Sequence, residues 1–203
     1  MDTAFLITAF AALFVVIDPI GLTPLFVALT KGADARHRLG VAIRASCIGA
    51  ALLLAFAIFG EAVLEFIGIS MAAFQIAGGI LLMLTALDML FERRTKRREE
   101  KVTDLPDPSV FPLATPLIAG PGAIATMILL MGQTDDITGA AAVIGVMLGV
   151  VAIVFAFFTA GNFLERILGP LGIEVTTRLL GMLLAALSIQ FMINGIQAVE
   201  WAF

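Results

Sequence analysis

An aspartate lies about fourteen residues into an apolar run, within Val16-Ile-Asp-Pro-Ile-Gly-Leu-Thr-Pro24, and a second proline-broken stretch, Ala114-Thr-Pro-Leu-Ile-Ala-Gly-Pro-Gly122, interrupts a later run. Proline has no amide hydrogen and its ring crowds the carbonyl one turn earlier, so Pro19, Pro24, Pro116 and Pro121 leave nearby carbonyls unpaired. Gly21, Gly120 and Gly122 let the backbone depart from helical geometry. Each break therefore creates two half-helix ends. An N-terminal end presents amide hydrogens and partial positive charge to a carboxylate, while freed carbonyls and Asp18 suit an ammonium group or a cation. The chemistry on offer is recognition of a small zwitterion. The residues expected to carry it are Asp18, Pro19, Gly21, Thr23 and Pro24 at the first break, and Thr115, Pro116, Gly120, Pro121 and Gly122 at the second. The plainer alternative is a pair of ordinary helix kinks, resatisfied by neighbours, with Asp18 as the N-cap of the half-helix that Pro19 begins.

Other polar residues point to structural roles. Asp88 stands near a helix end beside Arg93 and Arg94 and reads as an interfacial partner; Gln75, Gln190 and Asn194 suit hydrogen bonding between helices. Gly78-Gly79 and Gly145-x-x-x-Gly149 permit close helix packing. His37 is solvated in a basic connection, and Cys47 and the methionines are apolar filling. The single cysteine excludes an intrachain disulfide and a dithiol pair, and the single histidine excludes a multi-histidine metal site. No phosphate loop, zinc-protease helix or nucleophile turn is present, so no enzyme activity, cofactor or metal is expected. No basic patch with interleaved aromatics speaks for nucleic acid.

The elements that must position the two breaks are membrane helices. Of the 203 residues 61% are hydrophobic and 14% charged, with a mean hydropathy of +1.08, outside the range of soluble domains. At about 20 residues per span, six spans are predicted near 4–29, 39–60, 67–91, 111–132, 138–160 and 178–199. The fold class is all-α: a single polytopic membrane domain over 1–203. No cleavable leader precedes the first span, so the run from Ala4 is read as retained.

All twelve basic residues fall in alternate connections or beside them: Lys31, Arg36, Arg38 and Arg44; Arg93, Arg94, Lys96, Arg97, Arg98 and Lys101; Arg166 and Arg178. The intervening connections and both termini carry acids such as Glu61, Glu65, Asp135, Asp136 and Glu200. By the positive-inside rule both termini lie outside, with Trp201 and Phe203 at the outer interface. The charged segment at about 92–110 is a cytoplasmic loop attracted to anionic lipid. It divides the chain into repeat 1, about 1–91, and repeat 2, about 111–203. Asp18-Pro-Ile-Gly21 falls against Gly120-Pro-Gly-Ala123, and Gly60, Leu64-Glu65 and Gly68-Ile69 fall in order against Gly161, Leu164-Glu165 and Gly172-Ile173. Three spans per half force the copies into opposite orientations. This is the inverted-repeat plan of secondary transporters, with broken first and fourth helices meeting near the midplane.

At the two breaks the sequence resembles the MarC family, also called the neutral amino acid transporter family, of six-span bacterial inner-membrane proteins. The matching residues are Asp18-Pro-Ile-Gly21 with Pro24 and Phe26, and Pro116-Leu-Ile-Ala-Gly-Pro-Gly-Ala-Ile124, supported by Phe74-Gln-Ile-Ala-Gly-Gly-Ile80 and Arg178-Leu-Leu-Gly181. The resemblance implies a plasma-membrane protein, with transport of small neutral amino acids linked to some members.

The expected function is secondary transport of a small neutral solute, a small amino acid by preference, with a proton or sodium ion as the candidate coupling ion. The alternative is a non-transporting membrane scaffold or assembly partner. Nothing in the sequence specifies a homo-oligomer. The charge alternation itself makes a prediction: reporter fusions after Arg98 and after Phe203 place the first in the cytoplasm and the second outside. The reverse assignment would overturn both the positive-inside reading and the inverted repeat built on it.

Overall fold

The computed structural model describes residues 3–91, 107–134 and 136–199, and every regular element among them is a helix. The basic run from Arg93 to Lys101, with Asp135, Glu200, Trp201, Phe203 and both chain ends, lies outside the described residues. Helix α1 covers Thr3–Ile17 and α2 covers Pro19–Leu29; together they form one apolar span of 27 residues. Helix α3 is Ala35–Ile67 and α4 is Met71–Leu90. Helix α5, Ser109–Ile118, and α6, Pro121–Met131, are bent by 52° at the break between them; α7 is Ile137–Thr159 and α8 is Gly161–Ala198. Five helical spans are long and apolar enough to cross a membrane, and the α5–α6 pair makes a sixth.

Local chemistry explains these boundaries and corrects two predicted ones. The Asp34 carboxylate accepts from the His37 amide to start α3, Ser70 accepts from Ala73 to start α4, and Asp136 accepts from Gly139 to start α7. The connection predicted around Glu61–Glu65 is helical. α3 continues until Gly68 turns left-handed at φ 81°, with the Gly68 and Ile69 amides bonding back to Glu65 and Leu64. The segment predicted as a connection over Gly161–Thr177 is also helical, broken only where Gly169 takes φ 62° ahead of Pro170. Hydropathy reports where a segment partitions and not whether it is helical, so helix extending past the hydrocarbon reads as loop.

Helix α5 is irregular because Pro112 and Pro116 cannot donate. Its Leu113 and Ala119 amides bond five residues back, to Pro108 and Ala114, in wide turns, and Phe111 and Thr115 are extended. The approach to α5 is pinned from α3. The Asp107 carboxylate accepts from the Ser109 amide at 3.0 Å and meets the Arg44 guanidinium at 3.2 Å, while Arg44 Nε donates to Ser109 Oγ at 3.2 Å. Asp107 is held below the usual carboxylate range by the Ser109 hydroxyl and amide first, with burial opposing and Arg44 assisting. On the same arginine-bearing end, Arg38 Nη2 donates to Asn162 Oδ1 of α8 at 3.3 Å. Groups from the first, third and fifth connections thus meet, as the charge alternation requires.

The most extensive helix pair is α4 with α8, packed antiparallel through glycine. A Cβ on Gly79 would lie 2.8 Å from the Ser188 carbonyl oxygen, and one on Gly195 would lie 2.9 Å from that of Ala72. Helix α3 lies along α5 and α6, with Gly49 against Ile118 and Gly60 against Ile128. Gly145 and Gly149 behave differently from expectation: nothing lies within 4 Å of their added Cβ, so that face of α7 is open within the chain. Gln190 bonds Asn194 one turn along α8 at 2.7 Å, and so does not join two helices. Around the core, large apolar side chains such as Phe59, Phe66 and Leu183 point outward, as hydrocarbon allows.

Because the atoms facing Gly79 include backbone, which cannot swing aside, Gly79→Ala should cost about 1–3 kcal/mol by overpacking. Gly145→Ala should be neutral or slightly stabilising. Unfolding of the purified protein in mixed micelles checks both, and equal behaviour of the two variants would contradict this packing.

Candidate functional site

The first break is a single residue wide. Asp18 has φ 55° and ψ 65°, a left-handed conformation that aspartate, asparagine and glycine tolerate and most residues do not. The helical ladder survives on either side, because the Asp18 amide donates to the Phe14 carbonyl at 2.9 Å and Leu22 donates to the Asp18 carbonyl at 3.0 Å. The Asp18 carboxylate turns onto the start of α2, where Oδ1 accepts from the Gly21 amide at 3.0 Å. Pro19 fills the first helical position, which needs no donor. With 3% of its surface exposed, Asp18 is a buried acid in an apolar span.

Gly21 is the floor of this cap. A Cβ there would run into the Asp18 carboxylate and would lie 3.1 Å from Thr177 Oγ1 on α8. The Thr177 hydroxyl is buried and has no hydrogen-bond partner among the described residues. An unpaired buried hydroxyl costs about 1–3 kcal/mol, so this group is suited to bonding a water or a solute. The residue escapes sequence reading because its stretch is too polar to be predicted as a span, although it is helical. Its signal is nonetheless visible: two adjacent hydroxyls, Thr176-Thr177, just before the last apolar run. Arg178, read as bounding that loop, is instead within α8 and pairs with Glu174 one turn back.

The second break lies against the first. Gly120 caps α6 with extended backbone, φ −83° and ψ 166°, and its lack of a side chain serves a close approach, since a Cβ would lie 2.5 Å from the Pro116 carbonyl oxygen. Pro121 takes the first position of α6, as Pro19 does in α2. A Cβ on Gly122 would lie 2.8 Å from Val16 Cγ2, 3.1 Å from Leu82 Cδ2 and 3.6 Å from Thr85 Oγ1. The second helix start therefore rests on the residue two places before Asp18, with α4 alongside.

The residues singled out from sequence divide by burial. Asp18, Pro19, Thr23, Gly120 and Gly122 are buried, and Gly21 and Pro24 are partly so, whereas Thr115, Pro116 and Pro121 are exposed on the outside of the helix packing. Thr23 Oγ1 donates to the Pro19 carbonyl and Thr126 Oγ1 to the Gly122 carbonyl, both at 2.8 Å. Each hydroxyl spends its hydrogen on a carbonyl in the first turn of its helix and keeps lone pairs to accept with. No group of three or more His, Cys, Asp or Glu side chains that could hold a metal occurs among the described residues.

The cap makes a stability prediction. Asp18→Ala loses the side-chain acceptor, about 0.5–2 kcal/mol, and also places a Cβ residue without local hydrogen bonding in left-handed backbone, a further ~1 kcal/mol. Asp18→Asn retains both the acceptor and the conformational tolerance and should keep most of the stability. Equilibrium unfolding of the two variants in micelles distinguishes them, and equal losses would contradict the capping geometry.

Comparison with known proteins agrees with this architecture. The family model described as MarC family integral membrane protein matches residues 3–199. A UPF0056 membrane protein of Methanocaldococcus jannaschii is 40% identical, over 97% of this chain and 98% of its own. One of Archaeoglobus fulgidus is 35% identical, over 95% of this chain and 92% of its own. YvbG, a UPF0056 membrane protein of Bacillus subtilis, is 33% identical, over 97% of this chain and 96% of its own. No solved structure matches the chain. With a match over nearly its whole length and relatives of this identity in archaea and bacteria, the chain belongs to the MarC family of integral membrane proteins.

Proposed function

We propose that the protein is a secondary transporter that carries a small neutral solute, a small amino acid by preference, across the plasma membrane, with its path at the two helix breaks. The observation that carries this reading is the buried Asp18 carboxylate at a helix start in an apolar span, beside the unpartnered Thr177 hydroxyl. Asp18 would receive the ammonium group of a zwitterion or a coupling proton or sodium ion. The amide-bearing starts of α2 and α6 would receive its carboxylate. No covalent step is needed, so the protein would act without catalytic residues or a cofactor.

Paired contacts in the two halves, read as an inverted repeat, support the same mechanism. Gly60 packs on Ile128 and Gly161 packs on Val27; Gly60 and Gly161 are 101 positions apart, and so are Val27 and Ile128. Each contact is thus the image of the other with the halves exchanged. Gly68 and Gly169, the same 101 positions apart, are both left-handed glycines. This spacing sets Gly68 against Gly169, where the sequence comparison sets it against Gly172. Rocking one repeat against the other would open the Val16–Gly122 contact alternately to each side. The alternative of a non-transporting scaffold draws on the same contact, since Val16 and Leu82 fill the space at Gly122 as a packing element would.

The test is counterflow of radiolabelled glycine or alanine in vesicles containing only this protein. Wild type should exchange label, and Asp18→Asn, which keeps the cap but removes the charge, should lose transport steeply while inserted and folded. Full counterflow by a well-folded Asp18→Asn variant would return Asp18 to a purely structural role.

A further inference from the structure

At the arginine-bearing end of the bundle, away from both breaks, a pocket of about 290 Å³ opens between the end of α2, the start of α3 and the α7–α8 junction. Phe26, Ala35, Arg38, Leu39, Phe158, Thr159 and Asn162 line it. Its base is a pair of parallel rings, Phe26 and Phe158, with centroids 4.4 Å apart and planes 5° from parallel, both fully buried. The Arg38 guanidinium stands 6.0 Å above the Phe26 ring centre and donates once, to Asn162 Oδ1 at 3.3 Å.

The polar groups of the pocket are unmatched in one direction. A guanidinium has five N–H donors, and Arg38 makes no ion pair with any described residue. Asn162 uses its carbonyl oxygen to hold Arg38, which turns its NH2 group to donor duty with no described partner. The Thr159 hydroxyl is committed to the Phe155 and Ala156 carbonyls. The walls thus offer two adjacent donor groups, one of them charged, over an aromatic base and with no carboxylate among the described residues that line the pocket. Such a set recognises an oxyanion attached to an apolar or glycerol body. Arg44, by contrast, is already paired with Asp107 and Ser109.

From this geometry we infer that the pocket binds a phosphate oxyanion, and specifically the headgroup phosphate of an anionic membrane lipid. A planar guanidinium fork suits two phosphate oxygens. A cationic pocket at the arginine-bearing end of a helix bundle, where the bundle meets the headgroup layer, is a place where anionic headgroups concentrate. Exposed Leu39 gives the glycerol and first acyl carbons an apolar surface. The inference does not depend on the transport reading, because none of the lining residues belongs to either break.

The experiment is native mass spectrometry of the purified full chain titrated with phosphatidylglycerol or with phosphatidylcholine, repeated with inorganic phosphate in excess. Wild type should retain phosphatidylglycerol in preference to phosphatidylcholine. Arg38→Gln should weaken phosphatidylglycerol binding roughly tenfold or more, as loss of a charge-assisted contact implies, and Asn162→Leu should weaken it by less. Lys31→Gln, outside the pocket, should leave it unchanged. Arg38-dependent displacement of the lipid by inorganic phosphate would support the pocket and reassign its occupant to the free ion. Equal phosphatidylglycerol binding by wild type, Arg38→Gln and Asn162→Leu would overturn the proposal, and Asn162→Leu keeps it testable should the arginine variant fail to fold.

Discussion

The structure depends on one constraint: a carboxylate buried in an apolar span must be held by donors, and the start of α2 supplies them. Asp18 adopts left-handed backbone to reach the Gly21 amide. In doing so it ends α1 and begins α2 without changing the overall course of the span. Serine and threonine, ordinary N-caps elsewhere, are disfavoured in that conformation. The geometry narrows the cap to aspartate, asparagine or glycine, and of these aspartate alone brings charge.

Packing around that cap follows from it. Since Gly21 has no side chain, Thr177 of α8 can approach the carboxylate, and since Gly122 has none, Val16 can rest on the start of α6. Helices α1 and α2 are thereby surrounded by α6, α7 and α8 of the second half, while α3 lies along α5 and α6. The halves are interleaved, so the two breaks share one packed region. The α4–α8 pair, closed by Gly79 and Gly195, is the most extensive helix contact in the bundle.

Much of this was legible in the sequence. Six apolar runs and the placement of twelve basic residues gave the fold class and the shared end of three connections. Proline and glycine spacing located both breaks, because those residues act through local backbone chemistry. What escaped is what local chemistry does not encode. The left-handed turn at Asp18 requires knowing that the ladder continues on both sides. Thr177 was hidden because helix α8 extends well beyond the apolar stretch, and the exposure of Thr115, Pro116 and Pro121 is decided by tertiary packing that local sequence does not encode. The open glycine face at Gly145 and Gly149 has the spacing of a packing motif without a partner among the described residues.

The central claim is that the two breaks enclose a path that opens to water, and accessibility tests it most directly. Thr23→Cys, Ala123→Cys and Thr177→Cys, each made in a Cys47→Ala background, are exposed to a small polar thiol reagent in intact membranes. The account predicts that all three react, at rates that fall when the transported solute is added. Complete protection of the three, while a cysteine at exposed Gln133 reacts, would mean that the breaks are dry packing and would contradict the account.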